Sequence, residues 1–179
     1  MPKMYIMLGL PGAGKSTYVN NHLVPKGVQV LCADDLRAAH GHSFYLPLEP
    51  QIHGMLATFA RAIMRRGLDI VIDECTVKAA YVKRWLRTAE DMGYEIHVLH
   101  ITTPFDTCVE RRTKATPSFP IGVIETKAAS LRVELPAIKG MLRPDEYHEI
   151  AGDFDCPEDP IDVESWSPEY DGEPVKEAD

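Results

Sequence analysis

The residue types at positions 9–17 are those that can hold a chain of phosphates. In sequence order they read Gly-Leu-Pro-Gly-Ala-Gly-Lys-Ser-Thr. Glycines let backbone N–H groups converge on an anion, and a following helix adds its positive end. A lysine and a serine at this spacing suit the β- and γ-phosphates of a nucleoside triphosphate (NTP) and a Mg²⁺ ion. The candidate nucleotide-binding residues are therefore Gly9, Pro11, Gly12, Ala13, Gly14, Lys15, Ser16 and Thr17, with Ser16 also a candidate metal ligand.

The alternative interpretation of this stretch is an ordinary glycine turn followed by a surface lysine. An apolar run at 4–8 precedes the stretch, and a helix is predicted over 16–23. Strand, glycine-rich turn and helix in that order form the setting that a phosphate-binding loop requires. The context therefore favours the loop and predicts that the chain binds an NTP.

Acidic residues follow two further predicted strands. Asp34 comes after the second strand, which we expect to lie beside the first, and Arg37 follows one helical turn later. A carboxylate there can accept the proton of an incoming hydroxyl, and the arginine can brace it. Asp73 and Glu74 follow the third strand, where a carboxylate can hold Mg²⁺. Because neighbours on a strand face opposite sides, the sequence leaves open which of these two acids faces the metal.

A basic cluster at 110–114 is the third candidate. Arg111 and Arg112 end a predicted helix ahead of Pro117 and Pro120. An arginine brought over a transferring phosphoryl group stabilises its charge, so both arginines are candidate nucleotide ligands on a mobile lid. Plain structural alternatives stay open for all three clusters, because acids often cap helix N-termini and cations are favoured at helix C-termini.

The elements that must position these residues alternate along the chain. Apolar runs predict strands over 4–8, 28–32, 69–72, 94–101 and 147–151. Helical spacing predicts helices over 50–66, 79–92, 104–112 and 121–135, the last closed by Pro136. This alternation predicts an α/β chain with a three-layer P-loop NTPase fold, in which an open parallel sheet of four or five strands carries helices on both faces and a helical lid. Ligands on such sheets bind beyond the carboxyl ends of the strands.

Composition and charge divide the chain into two predicted parts. Residues 144–179 hold 14 Asp and Glu and one Lys, so the rest of the chain is net positive within a total charge of −8. We predict a P-loop kinase domain over 1–152 and an acidic, disordered tail over 153–179. The basic body suits a phosphate-rich partner. Candidate contacts to acceptor phosphates are Arg65, Arg66, Lys83, Arg84 and Arg87.

The length and the cysteines set further limits. A chain of 179 residues with 45% hydrophobic content fits a domain that buries its core without disulfides. Its four cysteines form no Cys-x-x-Cys pair and are typical of reduced thiols. No apolar run approaches about 20 residues, and the amino terminus lacks the apolar region of a signal peptide. The sequence therefore predicts a cytoplasmic protein with no membrane partner.

Taken together, these blocks resemble the polynucleotide 5′-hydroxyl kinases, in particular the kinase module of phage-type end-healing enzymes. The resemblance covers about residues 3–135 and rests on the loop at 9–17, Asp-Asp-Leu-Arg at 34–37, the acids at 73–76 with Trp85, and Arg-Arg-Thr-Lys-Ala-Thr-Pro at 111–117. Thr107 and Thr76 stand where the family has a second lid arginine and an asparagine.

The resemblance implies transfer of the γ-phosphate of ATP or another NTP, with Mg²⁺, to the 5′-hydroxyl of a DNA or RNA end, in a single strand rather than a duplex. It implies Asp34 as general base, Arg37 on the acceptor side, and Lys15 with Arg111 as a clamp on the γ-phosphate. It also puts Glu74 at the family's strand-end aspartate. Two alternatives stay open: a small-molecule kinase of the zeta-toxin type, and a nucleotide-binding module without an acceptor. The donor base, the acceptor polymer and the oligomeric state are not evident from the sequence.

Overall fold

The strands of this chain form one open parallel sheet. The structure is a computed structural model that describes residues 1–41 and 46–153. Within these residues the strands are β1 Lys3–Leu8, β2 Gln29–Cys32, β3 Ile70–Thr76, β4 Glu95–Thr102 and β5 Tyr147–Ala151. Their spatial order is β2-β3-β1-β4-β5, and every neighbouring pair is parallel. The predicted sheet is confirmed, whereas the predicted tail lies outside the described residues apart from Asp153.

The second strand is not a neighbour of the first. β3 lies between them, because Ile72 pairs with Ile6 of β1 on one side and with Leu31 of β2 on the other. The expectation that Asp34 follows the strand beside the phosphate loop is therefore wrong. A parallel crossover must be right-handed but need not reach the adjacent position, so the chain leaves a place that β3 later fills. The strand beside β1 is the one that carries Asp73 and Glu74.

Helices connect the strands in the predicted alternation. In the described part of the chain they are α1 Lys15–Tyr18, α2 Ala33–Ala39, α3 Glu49–Met64, α4 Ala79–Asp91, α5 Phe105–Ala115 and α6 Ile121–Gly140. α1 is a single turn, and a π-helical turn (Val19–Leu23) and a 3₁₀ turn (Val24–Lys26) continue it. The predicted helix over 16–23 is thus helical throughout but changes type after Tyr18.

Helix α6 runs through Pro136 to Gly140, so the prediction that Pro136 closes it is wrong. A proline inside a helix removes one backbone hydrogen bond and costs about 3 kcal/mol. Two residues further on, Ile138 is fully buried in the core against the sheet. Burying an isoleucine stabilises by about 1.5–3 kcal/mol, which offsets most of that cost.

Two apolar clusters cover the two faces of the sheet and confirm the three layers. On one face Met4, Ile6 and Leu8 of β1 pack against α3, α4 and α6, and Trp85 belongs to this cluster. On the other face the fully buried members include Met7, Val19, Cys108 and Ile124. Trp85, which is 4% exposed, is therefore a core residue of the first cluster.

Helices α4 and α6 are joined by a helix cap. The backbone N–H of Ala79, at the start of α4, donates a hydrogen bond to Oε2 of Glu134 on α6 at 3.1 Å. The first N–H groups of a helix have no partner within the helix, so a carboxylate from a neighbouring helix satisfies one of them. The cap fixes the start of α4, directly after β3, against the middle of α6.

The described cysteines are free thiols. Cys108 is buried, while Cys32 and Cys75 are partly exposed, so the sequence prediction of reduced thiols agrees with the part of the chain that is described. Cys156 lies outside that part. Among residues 1–41 and 46–153, no helix is both long enough and apolar enough to cross a membrane.

The packing of α6 beyond Pro136 can be tested by mutation. Ile138→Ala is expected to lower the free energy of unfolding by about 2–5 kcal/mol, because its side chain is fully buried. Val133 on the same helix is 76% exposed, so Val133→Ala should change that free energy by less than about 0.5 kcal/mol. Urea unfolding followed by circular dichroism measures both. Equal losses for the two variants would contradict this packing.

Candidate active site

The phosphate-binding loop leaves β1 and turns sharply into α1. Gly12 has φ +81°, and a Cβ added there would lie 2.3 Å from the backbone oxygen of Cys108 in α5. Only glycine fits such a close approach without moving the backbone. The N–H of Ala13 donates to the oxygen of Leu10 at 3.1 Å, and Gly14 precedes the first turn of α1. The predicted strand, glycine turn and helix are confirmed.

Lys15 lies inside this loop rather than on the surface. The residue is 6% exposed, and its Nζ donates to the backbone oxygens of Leu10 at 2.8 Å and Gly9 at 3.2 Å. A third contact joins Nζ to the sulfur of Cys75 at 3.0 Å. A buried ammonium group is stable only when it is hydrogen-bonded or paired. The alternative of a surface lysine after an ordinary turn is therefore excluded by the burial of this side chain.

Asp73 is the acid of β3 that faces the loop. Its side chain is buried, which raises the pKa of the carboxyl group, while a hydrogen bond from the Ser16 hydroxyl and the charge of Lys15 lower it. The carboxylates of Asp34 and Asp35 raise it further. A hydroxyl and a carboxylate in contact are the hard oxygen ligands that Mg²⁺ prefers. Ser16 and Asp73 therefore fit this ion.

Glu74 points to the other side of β3. Its Oε1 lies 3.7 Å from Nδ1 of His53, on α3. Burial raises the pKa of this carboxyl group to about 7; the charge of Arg37 opposes that shift, and the charges of Asp34 and Glu49 add to it. Since successive side chains on a strand face opposite sides, the structure brings Asp73, and not Glu74, to Ser16.

Arg37 joins two acids at the rim of the sheet. Its guanidinium donates two hydrogen bonds to Glu49, from Nε to Oε1 at 2.8 Å and from Nη2 to Oε2 at 2.7 Å. It also pairs with Asp34 in the first turn of α2. Glu49 raises the pKa of Arg37 through these bonds, and Arg37 lowers the pKa of Glu49. Arg37 and Glu49 have side chains that are 13% exposed, whereas that of Asp34 is 83% exposed.

His53 extends this group of side chains towards α4. Its Nε2 lies 3.7 Å from Oε2 of Glu49, and its ring centre lies 5.7 Å from that of Tyr81. Burial lowers the pKa of the imidazole; Glu49 raises it, and the positive charges of Arg37, Arg84 and Lys127 lower it. We call these joined residues the Arg37 cluster; its members are Asp34, Arg37, Glu49, His53 and Glu74.

The lid arginines point in different directions. Arg111 donates from Nη1 to the backbone oxygen of Gly152, after β5, at 3.1 Å. The guanidinium of Arg112 lies 4.4 Å from the ring centre of Phe119, in the segment between α5 and α6. Burial raises the pKa of the Cys108 thiol, while the charges of Lys15 and Arg111 both lower it. Arg111 is therefore on the side of the phosphate loop, and Arg112 packs on the aromatic ring of the lid segment.

A cavity lies beside Arg111, at the carboxyl end of β4 and β5. It has a volume of about 470 Å³ and is lined by Thr102, Pro104, Thr107, Arg111, Ala151, Gly152 and Asp153. The buried Thr103 connects this region to the loop, because its hydroxyl donates to the oxygen of Ala13 at 2.7 Å. Thr103 thus connects the end of β4, beside the cavity, to the phosphate loop.

The predicted site residues fall into two neighbouring groups. The structure brings Lys15, Ser16 and Asp73 together at the loop, and Asp34, Arg37 and Glu74 together at the rim. Sequence reasoning missed Glu49, His53 and Thr103. Glu49 is 12 residues from Arg37 and belongs to no motif, so only the packing of α3 on α2 reveals it.

Comparisons with known proteins agree with this fold. A family model described as an AAA domain matches residues 4–119. No curated protein matches the chain significantly.

Solved structures of similar fold include a chain of the Pnkp1/Rnl/Hen1 RNA repair complex, with 21% identity and a TM-score of 0.68 over 79% of this chain and 46% of that chain. The AvrRxo1-ORF1:AvrRxo1-ORF2 complex matches with 12% identity and a TM-score of 0.65, over 84% of this chain and 55% of that chain. A gluconokinase from Sinorhizobium meliloti 1021 matches with 16% identity and a TM-score of 0.57, over 86% of this chain and 85% of that chain.

This chain spans about half the length of the RNA repair and AvrRxo1 chains but most of the gluconokinase. At these identities the likeness establishes the fold alone, and it agrees at that level with the resemblance drawn from the motifs. The family model covers well over half of the chain, from β1 through the lid helix. The protein therefore belongs to the AAA-domain family and has a P-loop kinase fold.

Proposed function

We propose that this protein is a polynucleotide 5′-hydroxyl kinase, which transfers the γ-phosphate of an NTP to the 5′-hydroxyl of a DNA or RNA end. The observation that carries the proposal is that Arg37 pairs with both Asp34 and Glu49, and that the Asp34 carboxylate is near enough to raise the pKa of Asp73 beside the phosphate loop. A kinase needs a group that orients the acceptor hydroxyl and accepts its proton. An exposed carboxylate held by a partly buried arginine suits that role.

On the donor side, Lys15 and Arg111 would bind the γ-phosphate, and Ser16 and Asp73 would hold Mg²⁺. When bound, this ion neutralises charge on the donor phosphates. The cavity beside Arg111 lies within the size range of small-ligand sites and would take the nucleoside of ATP or another NTP. Thr103, which contacts both Ala13 and Gly152, would keep the two donor subsites in register.

On the acceptor side, the motif blocks and the fold shared with a chain of an RNA repair complex support a polynucleotide. Among the basic residues singled out in the sequence, Arg84 acts on His53 of the Arg37 cluster. Arg65 and Arg66 follow the end of α3, shortly before β3 starts. They therefore lie at the amino ends of the strands, opposite the phosphate loop.

A small-molecule kinase is the second candidate, favoured by the match to nearly the whole length of a gluconokinase. Labelled ATP offered with 5′-hydroxyl oligonucleotides or with a panel of sugars and nucleotides separates the two candidates. Affinity for a polyanionic acceptor falls with salt, whereas that for a neutral sugar does not. A nucleotide-binding module without an acceptor would label neither.

The role of Asp34 has a direct test. Asp34→Ala should bind ATP normally and lose about 10²–10⁴ in transfer rate, the usual loss for a general base. Asp35→Ala is the matched control, since Asp35 is the adjacent acid of α2 and makes no pair with Arg37 in the described contacts. Label transfer to a 5′-hydroxyl oligonucleotide measures both. If Asp34→Ala transfers at the wild-type rate, the assignment of the base is wrong.

Glu49 is expected to act through Arg37. Glu49→Ala should slow transfer because Arg37 loses both hydrogen bonds that orient it towards Asp34. The double variant Arg37→Ala/Glu49→Ala should then lose no more than Arg37→Ala alone, since residues that act as a unit are not additive. Transfer rates of the four proteins give this coupling. Additive losses would show that Glu49 has a separate role.

Glu74 is proposed to face the acceptor and not the metal, and its charge should destabilise the fold. The folded pKa of about 7 lies above the value of 4.5 for the unfolded chain, so the folded state binds the extra proton and wild-type stability falls as pH rises through this range. Glu74→Gln should therefore be more stable than wild type by about 3 kcal/mol near pH 8, and equally stable near pH 4.

Urea unfolding at a series of pH values measures this difference. Glu90→Gln, at an exposed position of α4, is the control, and its free energy of unfolding should stay within about 0.5 kcal/mol of wild type. A Glu74→Gln variant that is less stable than wild type at high pH would mean that the carboxylate is paired and not merely buried.

A further inference from the structure

Tyr81 exposes its ring next to the Arg37 cluster. The residue lies in the first turn of α4 and is 43% exposed. Its ring contacts the ring of His53, with 5.7 Å between the ring centres and 32° between the ring planes. An exposed aromatic side chain at the border of a site is more typical of a binding surface than of a core.

The path from Tyr81 to the proposed general base is continuous. His53 lies 3.7 Å from Glu49 and 3.7 Å from Glu74. Glu49 holds Arg37, and Arg37 holds Asp34. An acceptor with its hydroxyl at Asp34 would therefore extend over this cluster towards the ring of Tyr81.

Two positively charged side chains act on the imidazole that contacts the ring. Arg84 is three residues after Tyr81 and lies on the same face of α4. Lys127 comes from the second turn of α6. Both charges lower the pKa of His53, and the Ala79–Glu134 hydrogen bond holds the helix of Lys127 against the start of α4. An exposed aromatic ring near cations is an arrangement with which proteins bind single-stranded nucleic acids, since bases stack on the ring and phosphates meet the cations.

We infer that Tyr81 is a stacking platform for one of the first two bases of a single-stranded acceptor, and that Arg84 and Lys127 bind the phosphates beside it. The inference rests on the proposed function and narrows it, because it requires an acceptor with a base and a phosphate backbone. A neutral sugar acceptor has no phosphates for the two cations to bind.

The experiment compares wild type with Tyr81→Ala and Tyr81→Phe on intact and abasic 5′-hydroxyl oligonucleotides. Tyr81→Ala should raise the acceptor KM roughly 5- to 150-fold, the loss expected for one base–aromatic stack, and Tyr81→Phe should stay near wild type because it keeps the ring. Removing the first or the second base of the oligonucleotide should raise the acceptor KM of wild type by a similar factor. The KM of Tyr81→Ala should hardly change when the same base is removed. Phe59→Ala is the control, since Phe59 is 46% exposed on α3 and belongs to none of the contacts above.

The cations are tested in the same assay. Lys127→Gln should weaken all oligonucleotides alike and reduce the slope of log affinity against log salt by about 0.7, the value for one single-strand phosphate. If the slope of log affinity against log salt is unchanged, Lys127 does not bind an acceptor phosphate.

The outcomes separate this inference from the proposed function. If wild type labels oligonucleotides but Tyr81→Ala is as sensitive to abasic sites as wild type, stacking on Tyr81 is excluded and the kinase assignment stands. If wild type labels none, binding is followed with oligonucleotides that carry 2-aminopurine at the first or at the second position. Quenching of the 2-aminopurine fluorescence by wild type and Tyr81→Phe, but not by Tyr81→Ala, would support the binding surface and contradict the kinase function. No quenching by wild type at either position would contradict the binding surface.

Discussion

The buried charge of Lys15 constrains the whole carboxyl edge of the sheet. An ammonium group this deep must be compensated, and its partners come from the loop backbone and from β3. The buried carboxyl group of Asp73 belongs to the same strand and is held by Ser16. The loop and the end of β3 can therefore not shift relative to one another without leaving a charge unpaired.

The alternation of side chains on β3 divides the site into two sides. Asp73 and Glu74 are consecutive, and one faces the phosphate loop while the other faces the Arg37 cluster. A shift of the register by one residue would exchange the two acids, since the side-chain period of a strand is two. The pairing of β3 with β1 and β2 on both sides makes such a shift costly. The separation of the phosphate loop from the Arg37 cluster is thus a property of β3.

The strands, the helices and the loop could be predicted from the sequence because they depend on local patterns. The apolar runs and the spacing of the glycines are legible without knowledge of the neighbours. The position of β2 in the sheet could not be predicted, since an apolar run does not encode which strand it will pair with. The side of β3 on which Asp73 lies could not be predicted either, because a strand buried on both faces shows no alternation of polar and apolar residues. Glu49 and His53 reach the site only through packing of α3, and the end of α6 depends on the burial of Ile138.

The cap that Glu134 places on Ala79 has a mechanical consequence. It joins α4, the helix that bears Tyr81, to α6. A movement of α6 must carry the first turn of α4 along or leave both a carboxylate and a helix N–H group without their partner. A displacement of α6 is therefore coupled to the first turn of α4, where Tyr81 lies.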